Sequence, residues 1–267
     1  MEMEFSLINY YLFVCNYAKI EVVMYEGRDF ILKRNYWLIV ATYVIMHLSG
    51  IVARPIMMDI LGFSPNETIA YWNIISFFAG LIVILLLLRG DIKRGSQRNA
   101  SPISITVLWS VVGIFLAFIV NIIAGLIETQ VLGIEPGSDN TMFIMEIIRS
   151  FPIFMIIPAI IAPILEEIVF RKVIFGTLHK RVNFFIAALL SSLVFGIIHG
   201  EPQHLLVYAS MGFVFAFLYK MTNRIIVPIF AHAGMNSITV LLQYSVTPEQ
   251  LEQMRRQLEE MMIFLGN

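Results

Sequence analysis

The chain has 267 residues, of which 58% are apolar and 14% charged, with a net charge of −1. Its mean hydropathy is +0.80. That much apolar surface exceeds what a soluble interior of this size can hide, so lipid must be the solvent for much of it. The balance excludes a disordered chain and a nucleic-acid binder with a basic footprint, and the single Cys15 excludes a disulfide-stapled secreted domain.

In chain order, Phe5–Ile20 is apolar but interrupted by Asn9, Asn16 and Lys19. It lacks the basic start and small-residue cleavage site of a signal peptide and is read as an interfacial helix, with an eighth span as the alternative. Seven apolar runs then reach spanning length: Tyr36–Val52, Thr68–Leu88, Ile103–Ile127, Met142–Leu165 with a continuation to Leu178, Phe184–Gly200, His204–Met221 and Ile225–Tyr244. They are too long and too uniformly apolar for barrel strands. A spanning segment must also satisfy its own backbone hydrogen bonds. The expected fold is therefore an all-α polytopic transmembrane bundle.

The expected organisation is an N-terminal interfacial segment (1–35), front transmembrane helices (36–127), a helical core (142–245) and an amphipathic tail (248–267). The polar loop Glu128–Thr141 separates front from back. In the tail, Thr247-Pro248-Glu249-Gln250 has the form of a helix start, and Leu251, Met254, Leu258 and Met261 follow at helical spacing. Lys and Arg concentrate on alternate connections, after Thr68–Leu88 and after Leu165 for example, which predicts a cytoplasmic N-terminus.

Ionisable groups inside spans are costly and tend to mark function. In the front half His47, Asn73 and Asn121 are isolated polar groups, each expected to bond a neighbouring backbone carbonyl. Glu146 and Arg149, spaced i,i+3, are expected to pair with each other. His204 is given a surface or packing role.

The back half is different. Glu166-Glu167-Ile168-Val169-Phe170-Arg171 lies in one apolar run, Phe195-Gly196-Ile197-Ile198-His199 in the next, and His232-Ala233-Gly234-Met235-Asn236 in the last. Glu167 and Arg171 share a helix face and can pair, whereas Glu166 points about 100° away. An unpaired carboxylate in a low-dielectric site suits a general base. From the expected helix ends, Glu166 and Asn236 lie about 18 Å deep, His232 about 12 Å and His199 about 22 Å, so one cluster is possible. Three kinds of protein could use it: a hydrolase, a proton- or ion-coupled transporter, or a non-catalytic scaffold stiffened by a polar network.

Glu-Glu-x-x-x-Arg, Phe-x-x-x-His and His-x-x-x-Asn, in that order on three helices, resemble the CPBP (CAAX protease and bacteriocin-processing, or Abi) family of intramembrane proteases. The surrounding Ser191-Ser192-Leu193-Val194-Phe195-Gly196 and Ile226-Val227-Pro228-Ile229-Phe230-Ala231-His232 fit as well, whereas Lys172 departs from the Gly many members have. The resemblance implies an endopeptidase of a bacterial plasma membrane. Its partners would be the lipid bilayer and membrane-associated peptide or protein substrates. It also implies that Glu166 is the general base, assisted by His199, that His232 and Asn236 stabilise the oxyanion, and that Glu167 and Arg171 support them. Members are described both as metalloproteases and as metal-independent enzymes, so a zinc ion on His199 and His232 stays open beside a metal-free mechanism.

Overall fold

The computed structural model describes residues 34–93 and 100–246, and in the tail residues 250, 252, 253, 255–257, 260 and 261. The expected interfacial helix Phe5–Ile20 lies outside the described residues, as do Thr247–Glu249 at the start of the tail helix; the described tail positions are helical. The chain divides into two compact units, Met1–Leu38 and Ile39–Asn267. Of the first, only the opening turn of a helix is described.

Among the described residues the regular structure is all helical, without strands. Helix α1 is Arg34–Ile60, α2 Pro65–Lys93 and α3 Ile103–Gln130. Helix α4 is Asp139–Ser150, α5 Pro152–Leu178 and α6 Phe184–Ile197; α7 is Leu205–Thr222 and α8 Ile226–Ser245. The boundaries have local causes. At α2, Ser64 and Glu67 cap each other: the Ser64 N–H donates to Glu67 Oε2 (2.8 Å) and the Glu67 N–H to Ser64 Oγ (3.3 Å). Ser138 caps α4 by accepting from the Thr141 N–H (3.0 Å), and Asn183 caps α6 by accepting from the Ile186 N–H (3.0 Å). Asn223, at φ 50°, takes the left-handed turn between α7 and α8.

Six of the described helices are long and apolar enough to cross a membrane, one fewer than expected. The difference is α6. Its 14 residues rise only about 21 Å, less than the hydrocarbon thickness of about 30 Å. It stops at Ile197, just before a turn in which Gly200 adopts φ +75°. The expected span Met142–Leu165 is also redrawn. Phe151 leaves helical geometry (φ −135°, ψ 82°) because a residue preceding proline is driven out of the α region. Asp139–Ser150 is therefore a separate amphipathic helix, and the span begins at Pro152.

Helix α5 is the most enclosed span and the least regular. It passes from a 3-10 turn (Pro152–Met155) into a π turn (Ile157–Ile161), then α (Ala162–Glu166), then nine π-helical residues (Glu167–Phe175). Wide turns of this kind recur at functional sites. Helix α7 runs through the core, with Phe215, Ala216 and Leu218 fully buried. It packs against α3, α6 and α8. Close approach rests on small residues, as expected where lipid supplies no hydrophobic drive between helices. A Cβ on Gly113 would meet Leu218 Cδ1 at 2.7 Å, and one on Gly212 would meet Ser192 Cβ at 2.9 Å and Cα at 3.1 Å.

Two expected polar contacts are corrected. Arg149 does not pair with Glu146: its Nη2 donates to the carbonyls of Gln243 (2.9 Å) and Val246 (2.7 Å) at the C-terminus of α8, where a cation meets the negative helix end. Glu146 accepts instead from Asn66 Nδ2 (3.1 Å). Asn121 donates to Met211 Sδ of α7 (3.1 Å) rather than to a neighbouring carbonyl.

Gly212→Val should lower the melting temperature in detergent, by an overpacking cost of about 1–3 kcal/mol, because the added carbons strike the Ser192 backbone. Gly125→Ala, where a Cβ meets nothing within 4 Å, should not. Equal melting of the two variants would refute the close α6–α7 contact.

Candidate active site

The two adjacent carboxylates of α5 have different surroundings. Glu167 is fully buried, with Oε2 3.1 Å from Arg171 Nε, one wide turn later and equally buried. The N–H does not point along the line of contact, so this is an ion pair without a formed hydrogen bond. Arg171 is held otherwise by aromatic faces: its guanidinium carbon lies 4.5 Å from the Phe195 ring centre, 5.5 Å from Phe215 and 5.9 Å from Phe170. The second oxygen, Glu167 Oε1, accepts from His232 Nδ1 of α8 at 2.9 Å. A carboxylate only accepts, so Nδ1 carries the proton and Nε2 is the free ring nitrogen. The His232 ring stacks on Phe215 at 4.5 Å and 18°.

Glu166 is placed differently. Its side chain is 13% exposed, and Oε2 lies 3.7 Å from His232 Nε2, beyond hydrogen-bond distance. One group arriving between them can touch both.

His199 lies just past the end of α6. Its Nδ1 donates to the Phe195 carbonyl (2.7 Å), which leaves Nε2 as an acceptor. Phe195 stands edge-on to both imidazoles, at 4.7 Å from His199 and 5.9 Å from His232. Ser191 Oγ ties α6 to α5 by donating to the Phe170 carbonyl (2.8 Å).

Asn236 is brought to α5, but to its backbone. Nδ2 donates to the Pro158 carbonyl (3.0 Å), and Ser237 Oγ reaches the Ala159 carbonyl (3.4 Å). In the π turn the Pro158 carbonyl would accept from residue 163, which is proline and has no N–H. Asn236 supplies the missing donor. Thus Arg171 and His232 both contact Glu167, Glu166 stands 3.7 Å from His232, the ring of Phe195 links His199 to His232, and Asn236 is one turn of α8 further along.

Sequence reasoning missed the support behind His199. Tyr208 of α7 stacks on it at 4.1 Å and 22°, and Tyr208 Oη donates to Glu201 Oε2 (2.6 Å). Glu201 also accepts from Ser138 Oγ (2.8 Å) and the Asn140 N–H (3.1 Å). Burial alone would raise the Glu201 carboxyl, but the donors from Tyr208, Asn140 and Ser138 outweigh it and hold the group below the usual carboxylate range. His204 is no loose surface group: its Nδ1 meets Glu128 Oε2 at 2.8 Å, and Glu128 Oε1 accepts the Val207 N–H (3.1 Å). The one available signal was the spacing His204–Tyr208, a single helical turn.

By donor type, two histidines and a carboxylate would suit zinc. Among the described residues, however, no three His, Cys, Asp or Glu side chains gather as a metal site. The chemistry below runs through no metal.

A glutamate pair, two imidazoles and a buried arginine come from apolar helices of the bundle, and comparison with known proteins supplies the class. The profile described as type II CAAX prenyl endopeptidase Rce1-like matches residues 148–238, which hold Glu166, Glu167, Arg171, His199, His232 and Asn236. The chain is 42% identical over 237 residues to YdiL of Bacillus subtilis (strain 168), whose name is that of a membrane peptidase; the match covers 85% of this chain and 97% of YdiL. It is 32% identical over 235 residues to the membrane-embedded CAAX protease MroQ of Staphylococcus aureus (strain USA300), covering 83% of this chain and 94% of MroQ. No solved structure matches. The chain belongs to the CPBP family of CAAX-type membrane proteases, and is a multi-pass bacterial membrane protein.

Glu167→Ala should destabilise the protein by roughly 3–5 kcal/mol, since it strands Arg171 and leaves His232 Nδ1 without an acceptor. Glu166→Gln keeps the shape of a partly exposed side chain and should fold as wild type. Melting temperatures in detergent compare them; indistinguishable values would contradict the assigned pairing.

Proposed function

We propose that this protein is an intramembrane endopeptidase in which Glu166 activates water against a peptide bond. The observation that carries the reading is the division between adjacent carboxylates: Arg171 and His232 occupy Glu167, while Glu166 is left accessible, 3.7 Å from His232 Nε2. Glu166 takes one proton as the water oxygen bonds to the scissile carbonyl carbon. The carbonyl oxygen becomes an oxyanion, stabilised by the Asn236 N–H not committed to Pro158 and by His232 when its Nε2 also carries a proton. The tetrahedral intermediate then collapses, the C–N bond breaks, and the proton held by Glu166 passes to the leaving amine. His199, with Nε2 free, assists this transfer. Glu167 and Arg171 orient His232 and do not touch the substrate.

The substrates proposed are membrane-associated peptides or proteins, cut during peptide or bacteriocin processing, immunity or regulation of surface proteins. A site between buried helices suits a substrate that arrives through the bilayer. The proposed orientation has the N-terminus in the cytoplasm, as the distribution of Lys and Arg indicates.

The test compares the peptides released by bacterial cells carrying wild type or Glu166→Gln, followed by assay of the differing peptides on purified proteins. Loss of the base should slow cleavage about 10²–10⁴-fold. Cleavage at the wild-type rate by Glu166→Gln would reject the role given to Glu166.

A further inference from the structure

Two polar side chains of α1 face the site and have no part in the mechanism above. Tyr43 stands edge-on to Phe170 of α5, 5.8 Å between ring centres and 88° between planes. One turn later His47 stands edge-on to Tyr43 (4.6 Å, 64°) and to Phe77 of α2 (5.3 Å, 76°). Glu166 lies one turn before Phe170 on α5. With Tyr43 against Phe170, an antiparallel register brings His47 toward Glu166. The position of α1 is fixed by neighbouring contacts. Trp72 Nε1 donates to Ser49 Oγ (3.0 Å), and Met46 fills the space where a Cβ on Gly80 would lie.

Tyr43 is 5% exposed, and its hydroxyl has no hydrogen-bond partner among the described residues. A buried O–H without an acceptor costs stability, and phenylalanine would make the same ring contacts without that cost. The hydroxyl is thus a spare donor on a residue packed against Phe170, one turn of α5 from Glu166.

The site has a need for one. His232 Nδ1–H is committed to Glu167, and Nε2 donates nothing unless a second proton is added. Asn236 gives one N–H to Pro158. The groups that family resemblance assigns to the oxyanion are therefore partly engaged elsewhere.

We propose that Tyr43 is a catalytic residue of this site: its O–H donates a hydrogen bond to the carbonyl oxygen of the scissile peptide group as negative charge develops there, with His47 and Phe77 forming the wall beside it. The assignment rests on the proteolytic reading and adds a residue from the front half to it.

The test is Tyr43→Phe in the full-length purified protein, assayed on a peptide that wild type cleaves, with kcat, KM and melting temperature measured separately. Tyr43→Phe should melt at or above the wild-type temperature and keep KM within about threefold. Its kcat should fall about 10²-fold, the loss typical of one oxyanion donor. A kcat within threefold of wild type overturns the proposal, and so does a fall in kcat accompanied by a lower melting temperature, which would make the hydroxyl structural. A wild type no more active than Glu166→Gln overturns the proteolytic reading itself, and this proposal with it. An active wild type matched by Tyr43→Phe overturns this proposal alone.

Discussion

A fully buried arginine has to be neutralised, and much of this structure follows from how that is done. Arg171 sits among Phe170, Phe195 and Phe215, with Glu167 as its counter-ion. Burying an ion pair is expensive, and the remaining lone pairs of the carboxylate must be used. Glu167 uses one on His232, which joins α5 to α8 and settles which imidazole nitrogen faces the neighbouring carboxylate. The three rings come from α5, α6 and α7, so the same cation also gathers those helices. Glu166 keeps its accessibility because its neighbour takes both partners.

The irregularity of α5 belongs to the same economy. Its prolines interrupt the backbone ladder, and membrane helices tolerate this where neighbours supply the missing donors. Asn236 and Ser237 of α8 do so at Pro158 and Ala159. Nine π-helical residues follow, from Glu167 to Phe175, and the wide turn keeps Glu167 and Arg171 on one side. Behind His199 the arrangement is more distant in sequence. Tyr208 stacks on the imidazole and Glu201 holds Tyr208, while Ser138 and Asn140 tie Glu201 to the loop end and first turn of α4. The loop that separates front from back in the sequence is thereby attached to the catalytic half.

What could be read from the residues was what is local. Long apolar runs announce helices, and a spacing of four announces that Glu167 can meet Arg171. The pattern of three polar motifs is likewise a property of short segments. The break at Phe151 was present as a residue before proline, but the surrounding apolar run concealed it. Arg149 could not be assigned, because its partners are carbonyls at the end of α8, far along the chain, and only the packing of α4 against α8 brings them close. Asn121 found a sulphur on α7 for the same reason. His47 looked like an isolated polar group in a front helix, and Tyr43 was not singled out at all. Their meaning depends on which face of α1 meets α5, and a single apolar stretch does not carry that information.

The central claim is that Arg171, Glu167 and His232 act as one unit. A double-mutant cycle measures this directly: melting of wild type, Arg171→Met, His232→Phe and the double variant in detergent. Both residues lean on the same carboxylate, so removing one changes what the other is worth. The account predicts a coupling of about 1–3 kcal/mol between the two substitutions. Additive effects, with coupling indistinguishable from zero, would contradict it.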